Sequence, residues 1–284
     1  MTGGSTPPDW SLSLVELRYG DVLIYADPPN VGAYYSICFM GTYDPLLDRV
    51  SESDIVVDGG ANIGVFSLLA ARKAKVVYAV EPNPRNFEIL CMNLRLNHCD
   101  NIVPINAALS ERVGGGFLRG EGEVSHLSSS GLPIKTVTVD SVAGGAATCI
   151  KLDVEGATML AMRGIKSLDK VHEICFELEQ DQLDELRKDF ASVGVDPGTY
   201  SPLIESLTRN GYRMTNYNAI GVRASKVISL DLLRAEVKTH FFATKAFVQQ
   251  LVARHKNLFY APSLADVRIN TFYFTRHETA GSTI

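Results

Sequence analysis

The stretch Ile55-Val-Val-Asp-Gly-Gly-Ala-Asn-Ile-Gly-Val-Phe-Ser67 joins an apolar run to a glycine-rich turn and then to a segment rich in alanine and leucine. A short apolar run without alternation is typical of a buried parallel strand. Glycine allows backbone angles and close approaches that a Cβ would block. A strand, a glycine turn and a helix in this order hold nucleotide-like ligands at a helix N-terminus. The stretch therefore predicts a parallel α/β fold.

The spacing of the glycines excludes two common nucleotide-binding motifs. Read from Gly60, the dinucleotide pattern GxGxxG needs glycine at positions 62 and 65, where the chain has Asn62 and Val65. A GxxxxGK[ST] phosphate loop is also absent. An NAD(P) oxidoreductase is therefore the weakest of the enzyme alternatives, and an ordinary βα turn remains an alternative for the motif itself.

The next apolar run strengthens the ligand-binding interpretation. Val76-Val-Tyr-Ala-Val-Glu-Pro82 predicts a second strand that ends in Glu81, 21 residues after Gly60. An acidic residue at this place can accept two hydrogen bonds from a ribose diol. After it, Asn83 followed by Pro84 predicts a capped helix start.

Five blocks of the chain resemble the FkbM-type S-adenosylmethionine-dependent methyltransferases. In order they are VDGGANIGVFSLLAA, VYAVEPNPRNFEIL, INAALSE, IKLDVEGATMLAMRGI and ICFELE, within about residues 40–220. The resemblance implies a Rossmann-like, mostly parallel seven-stranded sheet with an antiparallel last strand and helices on both faces. It also implies S-adenosyl-L-methionine as cofactor, S-adenosyl-L-homocysteine as product, and a hydroxyl acceptor on a small molecule or sugar.

The resemblance implies a cofactor site at the carboxyl ends of the strands, where ligands of open α/β sheets bind. The residues of this site are Asp58, Gly60, Ala61, Asn62, Gly64, Glu81, Pro82, Asn83, Asn106, Ala107 and Asp153. The small residues after the third strand suit a slot for a flat adenine, although tight helix–sheet packing would use the same residues.

Transfer to a hydroxyl needs a base that accepts its proton. Carboxylates near a positively charged sulfonium also make electrostatic sense. The candidate catalytic residues are Asp153, Glu155, Glu177 and His126. Glu177 matches the FE dipeptide of the resembled family, whereas Glu155 could instead be an acidic residue of a helix first turn, and His126 a surface residue of a serine-rich loop.

The chain divides into four predicted parts. Residues 1–50 form an N-terminal extension and pre-motif segment, in which Tyr43 either contacts the ligand or lies in the core. Residues 51–221 form the cofactor-binding core, and residues 266–284 hold the closing strand. Between them, residues 222–265 predict a helical insertion, because positions 222–261 lack Gly and Pro and carry apolar residues at helical spacing. A lid, a homodimer interface and stabilising decoration are the three interpretations of this insertion.

Charge is distributed unevenly along the chain. The net charge is −5, yet residues 209–276 hold 11 Lys and Arg against 3 Asp and Glu. This asymmetry can mark an anionic acceptor such as RNA or, equally, a solvated basic helix near an acidic core. An RNA methyltransferase is the first alternative function. The Asn/Asp-Pro-Pro-aromatic motif of base-amino methyltransferases is absent after the fourth strand, which argues against it. A non-catalytic cofactor-binding scaffold is the second alternative.

Other features narrow the cell-biological setting. The N-terminus lacks the basic and apolar regions of a secretory signal, and no apolar run approaches the length of a membrane span. The five cysteines form no CxxC pairs and predict reduced thiols in a cytoplasmic protein. No metal is expected, because the six histidines show no paired spacing suited to zinc.

Overall fold

The computed structural model describes residues 14–39, 41–120, 126–179, 207, 209–219 and 269–276. The strands are β1 (Val15–Tyr19), β2 (Val22–Ala26), β3 (Ile55–Gly59), β4 (Val76–Val80), β5 (Ile102–Ile105), β6 (Ala108–Leu109), β7 (Gly114–Arg119), β8 (His126–Ser128), β9 (Leu132–Val137), β10 (Cys149–Leu152), β11 (Glu173–Glu179), β12 (Tyr212–Ala219) and β13 (Ile269–Arg276). The helices are α1 (Val31–Cys38), α2 (Asp44–Leu47), α3 (Val65–Ala71), α4 (Pro84–Leu96), α5 (Val139–Ala143) and α6 (Thr158–Arg163), with a 3-10 turn at Pro28–Asn30.

The central sheet is mixed and mostly parallel. Across the described strands its order is β12-β13-β11-β10-β3-β4-β5. Strands β11, β10, β3, β4 and β5 run parallel, and β13 lies antiparallel between β11 and β12. The predicted α/β class with a mostly parallel sheet is confirmed. The predicted helical insertion at 222–265 lies outside the described residues.

Successive residues of the parallel strands face two apolar cores, because side chains alternate across a sheet. Val56, Cys149 and Cys175 belong to the core beside α1, α3 and α4. Their neighbours Val57 and Ile150 belong to the core beside α5 and α6. Burial on both faces explains why these strands read as continuous apolar runs. No described helix combines the length and apolar character that crossing a membrane requires.

A second, smaller sheet branches off between β5 and α5. Its strand order is β6-β9-β7-β8. Leu127 of β8 packs with Ala157 and Leu160 around the start of α6. The small sheet therefore lies beside the segment that follows β10.

The N-terminal hairpin β1–β2 forms a separate two-stranded sheet. It is therefore not an edge hairpin of the central sheet. Asparagine side chains of α4 hold it in place. Asn97 contacts both backbone groups of Leu23, with its Oδ1 2.9 Å from the amide and its Nδ2 2.6 Å from the carbonyl. Asn93 Oδ1 accepts from the Tyr25 amide at 2.6 Å, and its Nδ2 donates to the carbonyls of Tyr25 and Ile63 at 3.0 and 2.8 Å. Asn93 thereby connects the hairpin, α4 and the glycine turn.

Replacing Asn93 by Ala should lower the free energy of unfolding by about 2–3 kcal/mol, because buried backbone groups lose their hydrogen-bond partner. Chemical denaturation measures this loss. The matched control is Glu88→Ala on the exposed side of the same helix, which should change stability by less than about 0.5 kcal/mol. Equal losses in the two variants would contradict the connecting role.

Candidate functional site

The glycine turn between β3 and α3 lies in close contact with the end of β10. The amides of Gly60 and Ala61 both donate to the Val80 carbonyl at 3.0 Å. Gly60 has a φ of +70°, and a Cβ built on it would lie 1.7 Å from the backbone oxygen of Asp153. Gly64 has a φ of +90° at the start of α3. The turn therefore requires glycine for its conformation and, at position 60, for space.

A buried ion pair lies beneath the turn. Lys151 Nζ is 3.1 Å from Asp58 Oδ1 and donates to the carbonyl of Gly60 at 2.9 Å. Asp58 also accepts from Ser67 Oγ at 2.6 Å, and it is fully buried. Burial opposes the charge of the Lys151 ammonium, but the carboxylates of Asp58, Asp153 and Glu177 together outweigh it and raise the pKa of Lys151. Asp58 thus shapes the turn from below.

Glu81 lies above the turn at the end of β4. Its carboxylate accepts from the amides of Asn62 and Asn83 at 2.8 and 2.9 Å. Burial, opposed by these two hydrogen bonds, raises the pKa of Glu81 to about 7. Asn106 Nδ2 donates to the Glu81 and Pro82 carbonyls at 2.9 and 3.2 Å. The arrangement brings a carboxylate and several amides to one side of the turn.

Two further carboxyl groups meet at the hydroxyl of Tyr43, just before α2. The hydroxyl oxygen lies 2.8 Å from Asp153 Oδ2 and 2.6 Å from Glu177 Oε1. Tyr43 is 2% exposed, whereas the Asp153 side chain is 31% exposed. Lys151 Nζ lies 3.7 Å from Asp153 Oδ2 and 5.1 Å from the centre of the Tyr43 ring. These groups form a charged cluster at the carboxyl edge of β10 and β11.

The other candidates occupy different positions. Glu155 precedes α6 and its N-cap Ala157, so the interpretation as a residue of the helix first turn is wrong. It lies in the turn after β10 with a φ of +46°. His126 begins β8 and pairs with Arg119 in the small sheet. Ala107 is 2% exposed within an apolar core.

Two features were missed from the sequence. Lys151 received no role, although a lysine inside the apolar run Cys-Ile-Lys-Leu is a signal for a paired buried charge. The second is the contact of the Tyr43 hydroxyl with Asp153 and Glu177, which lie 110 and 134 positions further along the chain. No local pattern indicates contacts at such distances in sequence.

A separate polar cluster lies at the opposite edge of the sheet. Asp54, Cys149 and His172 place potential metal-ligand atoms within 4.8 Å of one another. Asp54 already accepts from Thr148 and Ser51 at 2.7 Å each and lies 2.8 Å from His172 Nε2. Burial opposes ionisation of Asp54, but its hydrogen bonds lower its pKa to about 2. These hydrogen bonds connect the amino ends of β3, β10 and β11, so the cluster has a structural role.

The substitution Gly60→Ala should destabilise the protein because it combines a left-handed φ with a backbone clash. Gly144→Ala is the matched control, since Gly144 has a φ of +59° and a Cβ added there would meet no atom within 4 Å. The control should cost about 1–2 kcal/mol, and Gly60→Ala about 2 kcal/mol more. Denaturant titration of both variants measures the difference, and similar losses would show that the close approach to Asp153 is unimportant.

Glu81 should make stability depend on pH. Its pKa is about 7 in the folded chain against an ordinary value of 4.5, so its contribution is present below about pH 4.5 and is lost as pH rises through 7. The unfolding free energy of the ligand-free protein, measured relative to Glu81→Gln, should therefore fall between pH 5 and pH 8. A difference that stays constant over this range would contradict the burial of an ionisable carboxyl.

Comparisons with known proteins match the part of the chain that contains the glycine turn. Residues 23–114 match the family model described as the TRM5/TYW2 methyltransferase domain. Over 59 residues the chain is 44% identical to tRNA(Phe) (4-demethylwyosine(37)-C(7)) aminocarboxypropyltransferase of Methanocaldococcus jannaschii, covering 20% of this chain and 24% of the relative. Over 169 residues it is 25% identical to hexuronic acid methyltransferase AglP of Haloferax volcanii, covering 56% of this chain and 64% of the relative.

The crystal structure of methyltransferase FkbM from Methylobacillus flagellatus KT is similar at 23% identity and a TM-score of 0.38, over 51% of this chain and 36% of that one. The chain spans about a quarter of the length of the M. jannaschii relative. The FkbM resemblance therefore stays a prediction at the level of the subfamily. At the broader level, the matched segment, which contains the glycine turn, carries a similarity to methyltransferases that use S-adenosylmethionine.

Proposed function

We propose that the chain transfers a methyl group from S-adenosylmethionine to a hydroxyl group of a sugar or another small molecule. The observation that carries this proposal is the cluster of Asp153, Tyr43 and Glu177 at the sheet edge, next to the glycine turn. A base at this position is what a hydroxyl acceptor needs. The match to the hexuronic acid methyltransferase, which extends over 56% of the chain, supports a sugar as the acceptor molecule.

The residues around the turn fit the cofactor. Because Gly60 lacks a Cβ, the turn can lie against the backbone oxygen of Asp153, which keeps the carboxyl ends of β3 and β10 together at the proposed cofactor site. The Glu81 carboxylate can accept two hydrogen bonds from a ribose diol. When bound, S-adenosylmethionine supplies a methyl group on a positively charged sulfur. The predicted contacts of Asn62, Asn83 and Asn106 belong to this proposal.

Each part of the site has a separate task in the proposed reaction. Lys151 and Asp58 keep the turn in place from below, because the ammonium binds the carbonyl of Gly60 as well as the carboxylate. Asp153, which is partly exposed at the rim, accepts the proton of the acceptor hydroxyl. Glu155 lies two residues further in the same turn and borders the methyl site. Positioning of the acceptor supplies most of the rate enhancement.

An RNA acceptor is the second candidate. The family model is named for TRM5/TYW2, and the M. jannaschii relative acts on tRNA. The excess of Lys and Arg over residues 209–276 would suit phosphate contacts. The predicted insertion, with its lid or homodimer role, falls in the same part of the chain. A cofactor-binding scaffold without turnover is the remaining alternative.

Transfer of label from S-adenosylmethionine distinguishes these candidates. The acceptors offered are oligosaccharides that contain hexuronic acid, a protein-free cell extract, and total tRNA. We expect label from the methyl group in the sugar or small-molecule fraction. Label that ribonuclease releases would instead establish the RNA acceptor, and label transferred only from the carboxyl carbon would indicate aminocarboxypropyl transfer.

The matched blank for this assay is Asp153→Asn. It should lower turnover by about 10²–10⁴-fold while cofactor affinity, measured by calorimetry, changes far less. Asp100→Asn, an exposed carboxyl outside the site, should leave turnover unchanged. Equal turnover in the two variants would refute the role of Asp153 as base.

A further inference from the structure

The hydroxyl of Tyr43 lies within hydrogen-bond distance of two carboxyl groups at once. Its oxygen is 2.8 Å from Asp153 Oδ2 and 2.6 Å from Glu177 Oε1. A phenol has a single hydrogen to donate, and an ionised carboxylate has none. With both carboxyls ionised, one of the two contacts would therefore place a carboxylate oxygen against a hydroxyl oxygen with no hydrogen between them. One additional proton makes both contacts favourable.

We propose that Asp153, Tyr43 and Glu177 share one proton, that this proton leaves when S-adenosylmethionine binds, and that the proton of the acceptor replaces it during methyl transfer. The proposal rests on the proposed function and assigns a relay to its base. Asp153 is the exposed end of this relay, and Tyr43 and Glu177 are positioning residues behind it.

The charges around the relay support this proton inventory. Burial, together with the negative charges of Asp153 and Glu177, raises the pKa of Tyr43 well above its ordinary value. Tyr43 therefore keeps its own proton. Among the described residues, ionisable groups near the relay include Lys151 on β10, Cys175 on β11 and Tyr273 on β13, and Asp58 on β3 pairs with Lys151.

The cluster contains three carboxyl groups, those of Asp58, Asp153 and Glu177, and the ammonium of Lys151. With the ammonium and the shared proton counted, its net charge is −1. Loss of the proton makes the charge −2, which a neighbouring sulfonium stabilises. A neutral thioether at the same place does not. The shared proton should therefore be present beside the thioether and absent beside the sulfonium.

The transfer step then balances in atoms and charge. The bond between the acceptor oxygen and the methyl carbon forms while the carbon–sulfur bond breaks, and the electron pair of that bond stays on sulfur. The proton of the acceptor hydroxyl passes to Asp153. Tyr43 can pass its own proton to Glu177 as it accepts one from Asp153. The positive charge lost from sulfur is replaced by the proton, so the net charge of the site stays constant.

Calorimetry of ligand binding tests the relay without turnover. The purified chain is titrated with S-adenosylmethionine and with S-adenosylhomocysteine at neutral pH, in two buffers of different ionisation enthalpy. The buffer dependence of the heat gives the number of protons released. We expect the release of about one proton more with S-adenosylmethionine than with S-adenosylhomocysteine. Glu81 faces the ribose of either ligand in the proposed site, so its contribution cancels in the difference.

Glu177→Gln is the informative variant, because its amide can donate to Tyr43 as the protonated carboxyl does. The difference in proton release between the two ligands should fall to about zero, with both ligands still bound. The matched control Glu111→Gln, a carboxyl that pairs with Arg112 away from the cluster, should keep the difference.

The outcomes separate the two proposals. Equal proton release with both ligands in the unsubstituted chain would overturn the relay and leave the cofactor assignment intact. A difference in proton release that persists in Glu177→Gln would show that the released proton is not shared between Asp153 and Glu177, and would overturn the relay. Failure of both ligands to bind would overturn the proposed function, and the relay with it.

Discussion

The buried ion pair between Lys151 and Asp58 is the interaction on which the site depends. Two charges inside a protein cost several kcal/mol in lost hydration, and they persist only with further hydrogen bonds. Here the ammonium also binds the carbonyls of Gly59 and Gly60, and Ser67 donates to the carboxylate. The pair therefore connects β3, β10 and α3 through the glycine turn, so that the position of each depends on the others.

The same ammonium organises the opposite side of the site. It lies 3.7 Å from Asp153 and over the ring of Tyr43, and it reduces the repulsion between carboxylates that meet at one hydroxyl. A single buried lysine thus contacts both the glycine turn of the proposed cofactor site and the carboxylate cluster of the proposed acceptor site. This arrangement explains how a strand that is otherwise apolar can contain a charged residue in the middle of the sheet.

The family match and the acceptor question concern different parts of the chain. Residues 23–114 of this chain, which match the TRM5/TYW2 methyltransferase domain, contain the glycine turn and Glu81. These are the elements of the proposed cofactor site. The carboxylates Asp153 and Glu177 lie beyond residues 23–114, as does the basic segment 209–276. The matched relatives are named for different acceptors, a tRNA and a hexuronic acid, so the two proposals for this chain rest on residues beyond the matched segment.

The sequence by itself determined the fold class and the glycine turn, because these depend on local patterns of apolar runs and glycine positions. The cofactor followed from the resemblance of five sequence blocks to a methyltransferase family. The sequence also indicated that Asp153 lies at the same edge of the sheet as Asp58 and Glu81, since the carboxyl ends of parallel strands share one edge. Only the tertiary structure decided that Tyr43 lies between Asp153 and Glu177, that Asn93 holds the hairpin, and that Glu155 precedes its helix. Those contacts join residues far apart in the chain, and their partners are set by packing, on which no local pattern reports.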